Sequence, residues 1–193
     1  MNIPNLSVTI NGIALSAPRV PRQSEVLSAE TLSFLCALHG EFGTRAAALG
    51  QREDDVGTNP VIEASWRSLI GQHLGDPAPT IVRPRCLGRR EVRMFRQGQP
   101  LSAGLVDFGI HVHRNARALL AEGRAPFVEL PPTHREEEVE LWQDVFTRAE
   151  QLLEIPAGTI RAIHLNPRGA AQSRAVTHAA GVAAGPHPAR AAA

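Results

Sequence analysis

From Thr80 to Leu165, short apolar runs alternate with amphipathic segments about twenty residues long, and this pattern limits the fold more than any other feature. The stretch opens with Ile81-Val82-Arg83-Pro84-Arg85, followed by a short polar stretch. Next come LSAGLVDFGIHVHRNARALLAEG (Leu101 to Gly123) and APFVELPP (Ala125 to Pro132). A second amphipathic segment, THREEEVELWQDVFTRAEQLLEIP, leads into GTIRAIHL, which ends at Leu165. Strand-sized apolar runs separated by helical patterns are the mark of βαβ units and a parallel sheet.

Spacing and end signals define the two helices. Leu105, Phe108, Val112, Ala116 and Leu119 recur at three- and four-residue steps and share a face. Gly123 stands where a helix would stop in a left-handed cap. In the second segment the stripe is Val139, Trp142, Phe146, Ala149 and Leu153. Thr133 and Glu136 have capping-box spacing, Glu136 to Glu138 put negative charge at the positive helix end, and Pro156 ends the helix. The expected helices are Leu101–Glu122 and Arg135–Glu154. The expected strands are Thr80–Arg83, Phe127–Leu130 and Thr159–Leu165, neighbours in one parallel sheet, with a fourth near the N-terminus.

The N-terminal part offers an Asn11-Gly12 pair between apolar residues, a hairpin signal. Ser28 is placed to cap a helix carrying Leu32, Leu35, Leu38, Phe42 and Ala46, weakened near its middle by Gly40 and Gly43. Gly50 to Pro79 is rich in loop signals around a short helical stretch, Ile62 to Leu74. Asn166 to Ala193 is dominated by Ala, Arg, Gly, Pro and His without apolar period, and the expectation there is disorder. The expected organisation is therefore 1–79 helical and loop-rich, 80–165 a βαβαβ segment, and 166–193 a low-complexity tail.

Composition excludes several functional classes. The net charge is +1 and no basic stripe is visible, so neither nucleic acid nor an anionic membrane is an expected partner. All the basic residues counted are arginine, which rules out lysine Schiff-base chemistry. Cys36 and Cys86 lack metal-ligand spacing and read as free thiols. The N-terminus carries no basic-then-apolar leader and no eighteen-residue apolar run occurs, so the expected location is cytoplasmic. His111 and His113 would point about 200° apart on a helix, so they are not expected to share a metal ion.

The same residues carry a family resemblance. IVRPRCL, GLVDFGIHVHRNARALLAEGRAPFVELP and ELWQDVFTRAEQLLEIPAGTIRA closely resemble the central segment of the A-type malate synthases, over Thr80 to Ala162 almost without gaps. Leu27 to Leu49 resembles the family's N-terminal helical stretch, and ASWRSLIGQHL a shortened copy of its segment around a tryptophan. The sequence resembles a truncated, partly degenerate member or fragment. The implied fold is part of a (β/α)8 barrel, whose full form needs about 250 residues. The open barrel would offer a surface for self-association.

The resemblance implies condensation of acetyl-CoA with glyoxylate, followed by thioester hydrolysis to malate and CoA. The family uses an aspartate base, an arginine that stabilises the enolate oxygen, and Mg2+ held by Glu and Asp. Residue by residue, one role transfers: Arg83 falls on the catalytic arginine. Arg85 is either a support for it or an ordinary structural arginine. Pro167 stands at the position of the glutamate ligand, and the base and second metal ligand would fall beyond Ala193. Cys86 and Pro132 replace a glycine and a lysine usual in the family. Asp107 and Asp144 are expected to cap or face solvent, and neither substitutes for the base. The expectation is thus a malate synthase-like chain that binds no Mg2+ and is inactive alone; the alternative is a non-catalytic remnant or interaction protein.

Overall fold

The computed structural model describes residues 8–17, 19–50, 62–74, 79–130, 135–164 and 175–176. Its parallel sheet follows the expected pattern. Strand β3 (Ile81–Val82) pairs in parallel with β6 (Phe127–Leu130), and β6 with β7 (Arg161–His164). Helix α4 (Ala103–Ala121) lies between the first two in sequence and α5 (Glu136–Leu153) between the last two. Most of the tail expected to be disordered lies outside the described residues. Its Ala175–Val176, β8, pairs antiparallel with β7, so at those two residues the structure departs from that expectation.

A second, antiparallel sheet corrects the expectation of about four strands. Strands β1 (Val8–Ile10) and β2 (Ile13–Leu15) form a hairpin across Asn11-Gly12, both in left-handed backbone conformation. The short polar stretch after Arg85 is not a loop. It forms β4 (Arg90–Arg96) and β5 (Gln99–Ser102), joined through Gln97-Gly98, and β4 pairs with β2. The sheet order is β1-β2-β4-β5. Leu101 and Ser102 therefore end a strand, and helix α4 starts two residues later than expected. The Ser102 hydroxyl caps it by accepting the Leu105 N–H.

The remaining elements are α1 (Gln23–Val26), α2 (Ala29–Ala48) and α3 (Ile62–Gln72). Ser28 caps α2 as expected, through the Thr31 N–H. Gly40 and Gly43 do not interrupt α2, and both are points of close approach: a Cβ at Gly43 would stand 2.5 Å from the His39 ring. Gly123 closes α4 at φ 73°, as expected. The proposed cap residue of α5, Thr133, lies outside the described residues. The structure begins that helix after Arg135, whose side chain makes no capping bond.

Helices α2 and α4 lie between the two sheets. One face of each joins the parallel-sheet core, where Leu38, Phe42, Phe108 and Val112 meet Val82, Val128 and Ala162. On α5, Trp142 and Phe146 complete that core, with the Phe108 ring 5.7 and 5.3 Å from theirs. The opposite faces meet the antiparallel sheet, where Leu35, Val106 and Ile110 pack with Ile13, Met94, Leu101 and Trp66. In β3 and β6 the residues between Val82, Val128 and Leu130 point away from the helices, by strand alternation. These are Ile81, Arg83, Phe127 and Glu129. The described residues form no closed barrel.

Candidate functional site

Arg83 directly follows β3, at the C-terminal end of that strand in the parallel sheet. The register that sets Val82 beside Val128 brings Arg83 beside Glu129 on β6. The Arg83 Nε donates to the Glu129 carboxylate. Their exposures differ sharply: 77% for the Arg83 side chain and 11% for Glu129. The two Nη groups of Arg83 have no partner among the described residues, so one edge of the fork is held and the other is available to an oxyanion.

Arg85, two residues on, does not join Arg83. It turns to Asp107 on α4 and Glu91 on β4, donating Nε and Nη2 to Asp107 at 2.8 and 2.7 Å and Nη1 to Glu91 at 2.8 Å. Its backbone N–H also reaches Asp107 at 2.9 Å. Burial pulls the Arg85 pKa down, but the Asp107 and Glu91 carboxylates outweigh it and hold the group above its ordinary value. Arg85 is the structural arginine of the pair. It fixes the loop that presents Arg83, and that loop lies so close to α4 that a Cβ on Gly104 would come 2.5 Å from the Arg85 carbonyl.

Asp107 corrects an expectation. It neither caps nor faces solvent but is buried, 3% exposed, as the main anionic partner of Arg85. The first half of α4 is covered on both faces, so a carboxylate there needs an internal cation. Asp144 is a surface residue as expected, bonded to Arg45 at 2.6 Å. His111 is buried against Asn115, and His113 contacts the Thr31 hydroxyl. Cys36 and Cys86 are half-buried and form no disulfide. Pro132 and Pro167 lie outside the described residues.

Sequence reasoning missed Glu129, although the predicted neighbourhood of the strands Thr80–Arg83 and Phe127–Leu130 already held the signal that would have found it. It also missed Glu91, which belongs to the unforeseen hairpin. Among the described residues no group of three or more His, Cys, Asp or Glu could hold a metal ion. The described donors thus assemble no such set for Mg2+, and no chemical step is derived through it. No helix among these residues is long and apolar enough to cross a membrane.

Residues 80–171 match the sequence family described as malate synthase, TIM barrel domain. The class is an α/β chain with a segment similar in sequence to that domain, in which Arg83 directly follows a strand of the parallel sheet. Malate synthase from Myxococcus xanthus is 42% identical over 85 residues, 44% of this chain and 16% of that protein. Malate synthase A of Escherichia coli is 37% identical over 87 residues, 45% and 16%. The bifunctional glyoxylate cycle protein of Caenorhabditis elegans is 42% identical over 80 residues, 42% and 8%. Over this segment the chain is similar to malate synthases. It spans between 8% and 19% of the length of such relatives.

Proposed function

We propose that residues 80–165 are a βαβαβ portion of a malate synthase-type (β/α)8 barrel, with Arg83 as the enolate-stabilising arginine. Residues 1–79 form the N-terminal region that packs against it, 166–193 form a tail, and the chain works in the cytoplasm. The family reaction joins acetyl-CoA and glyoxylate to give malate and CoA. Developing charge on the enolate oxygen needs a cation held in position. The observation that carries the reading is the Arg83–Glu129 pair at the C-terminal end of the parallel strands. Glu129 holds Nε and aims the guanidinium, while both Nη groups remain for the oxyanion.

The 193-residue chain taken by itself does not complete the reaction. The residue aligned with the first metal ligand is Pro167, which has no carboxylate to hold a metal ion. The test is glyoxylate-dependent release of CoA from acetyl-CoA by the purified chain. The expected result is no release above a blank. Magnesium-dependent turnover that vanishes in Arg83→Ala would overturn the inactivity and leave the role of Arg83 standing. Turnover untouched by that substitution would remove Arg83 as well.

A further inference from the structure

Most arginines with described contacts are engaged: Arg45 with Asp144, Arg148 with Glu41, Arg117 with the Leu153 carbonyl. Arg89, Arg90 and Arg96 differ. All three line one cleft of about 300 Å³ between α2 and the β4–β5 hairpin, and no Asp or Glu among the described residues lines it. None of the three has a carboxylate partner among the described residues. His39 shares the wall, but its Nε2 accepts the Ser102 N–H at 2.7 Å, so the ring is held neutral and does not bind a second acid. Three guanidinium groups without a carboxylate partner among the described residues, set around one concavity, focus positive potential there.

Local structure sets the spacing of these charges. Arg90 begins β4 and Arg96 ends it, so their Cα atoms are on the order of 20 Å apart along the strand. Arg96 lies against α2 at Gly40, where a Cβ would come 3.3 Å from Nη2. The missing side chain gives the guanidinium its seat. The cleft is thus a short trough with cationic ends, and its volume suits a small molecule. Guanidinium forks match phosphate oxygens two at a time.

We propose that the cleft lined by Arg89, Arg90 and Arg96 binds a small molecule bearing phosphate groups at two separated points. The cleft does not contain Arg83, and the proposal does not depend on the enolate role given to that residue.

Titration calorimetry of the full chain with inorganic tripolyphosphate tests it, with orthophosphate as the single-point comparison. Expected are one site for tripolyphosphate, at least about tenfold weaker binding of orthophosphate, and weakening with salt. Arg90→Gln/Arg96→Gln should lose about tenfold or more in affinity, while Arg22→Gln/Arg45→Gln, with the same change in net charge, should stay within about twofold. Arg90→Gln alone, at an exposed strand start, repeats the test should the double variant not fold. Equal losses in both double variants, or no binding to the wild type, would overturn the proposal. So would tighter binding of a single-stranded ten-nucleotide oligomer than of tripolyphosphate. A rise in affinity of about tenfold in Glu53→Gln/Asp54→Asn/Asp55→Asn would show that the chain's own carboxylates fill the cleft, and would also overturn it.

Discussion

Asp107 accepts three hydrogen bonds from Arg85, two from the guanidinium and one from the backbone N–H. One carboxylate thereby fixes both the side chain and the path of the loop between β3 and β4. Arg83 sits two residues upstream of that anchor, across Pro84. The two arginines of one tripeptide therefore divide their work: Arg85 holds the loop, and Arg83 projects from it.

This division predicts opposite mutational costs. Asp107→Ala leaves a half-buried guanidinium without its main partner and should lower unfolding free energy by about 3 kcal/mol. Arg83→Ala removes a largely exposed side chain and should cost less than about 1 kcal/mol. Urea denaturation of both variants decides the matter. Equal losses would mean that Arg83 is as structural as Arg85.

The buried histidines predict loss of stability on the acid side. Burial pushes the pKa of His39, His73 and His111 down to about 4, helped by Arg96, Arg114 and His73 respectively. In the unfolded chain they titrate near 6.5, so between the two values the unfolded state binds more protons. Stability is therefore complete above pH 6.5 and is lost as the pH falls toward 4. Each group contributes on the order of 2–3 kcal/mol across that window. Urea midpoints from pH 7.5 to 4.5 should fall steeply below 6.5, and less steeply in His73→Gln/His111→Gln. A flat profile would show that the rings take up protons without cost.

The parallel sheet predicts association. Strand β3 ends the sheet order, and Ile81 on the face away from the helices is 47% exposed. An apolar face beside a terminal strand invites pairing with another chain. The chain should bind a hydrophobic dye and associate at micromolar concentration, and Ile81→Lys should reduce both. A monodisperse wild-type monomer in light scattering would rule this out.

The parallel part of the fold was legible because its signals are redundant. Leu105, Phe108 and Val112 gave α4 its period, Gly123 its end, and Val82, Val128 and Ala162 the buried side of three strands. The hairpin β4–β5 was not legible because two effects hide its alternation. A register shift between Glu91 and Phe95 breaks the two-residue period, and Glu91 and Arg93 are buried beside Met94. A buried carboxylate reads as a loop residue until its partner is known, and here Arg85 supplies the cation. Asp107 was misjudged for the same reason. The Arg83–Glu129 contact needed strand register, which apolar spacing alone does not supply.

The pairing of β2 with β4 joins residues roughly eighty positions apart, Leu15 with Met94 among them. During synthesis at about 5–20 residues per second, the first hairpin must wait about 4–16 s before its partner strand is made. Through that interval Ile13 and Leu15 have no sheet to enter. The order of manufacture thus runs against the order of assembly: what is made first is locked last.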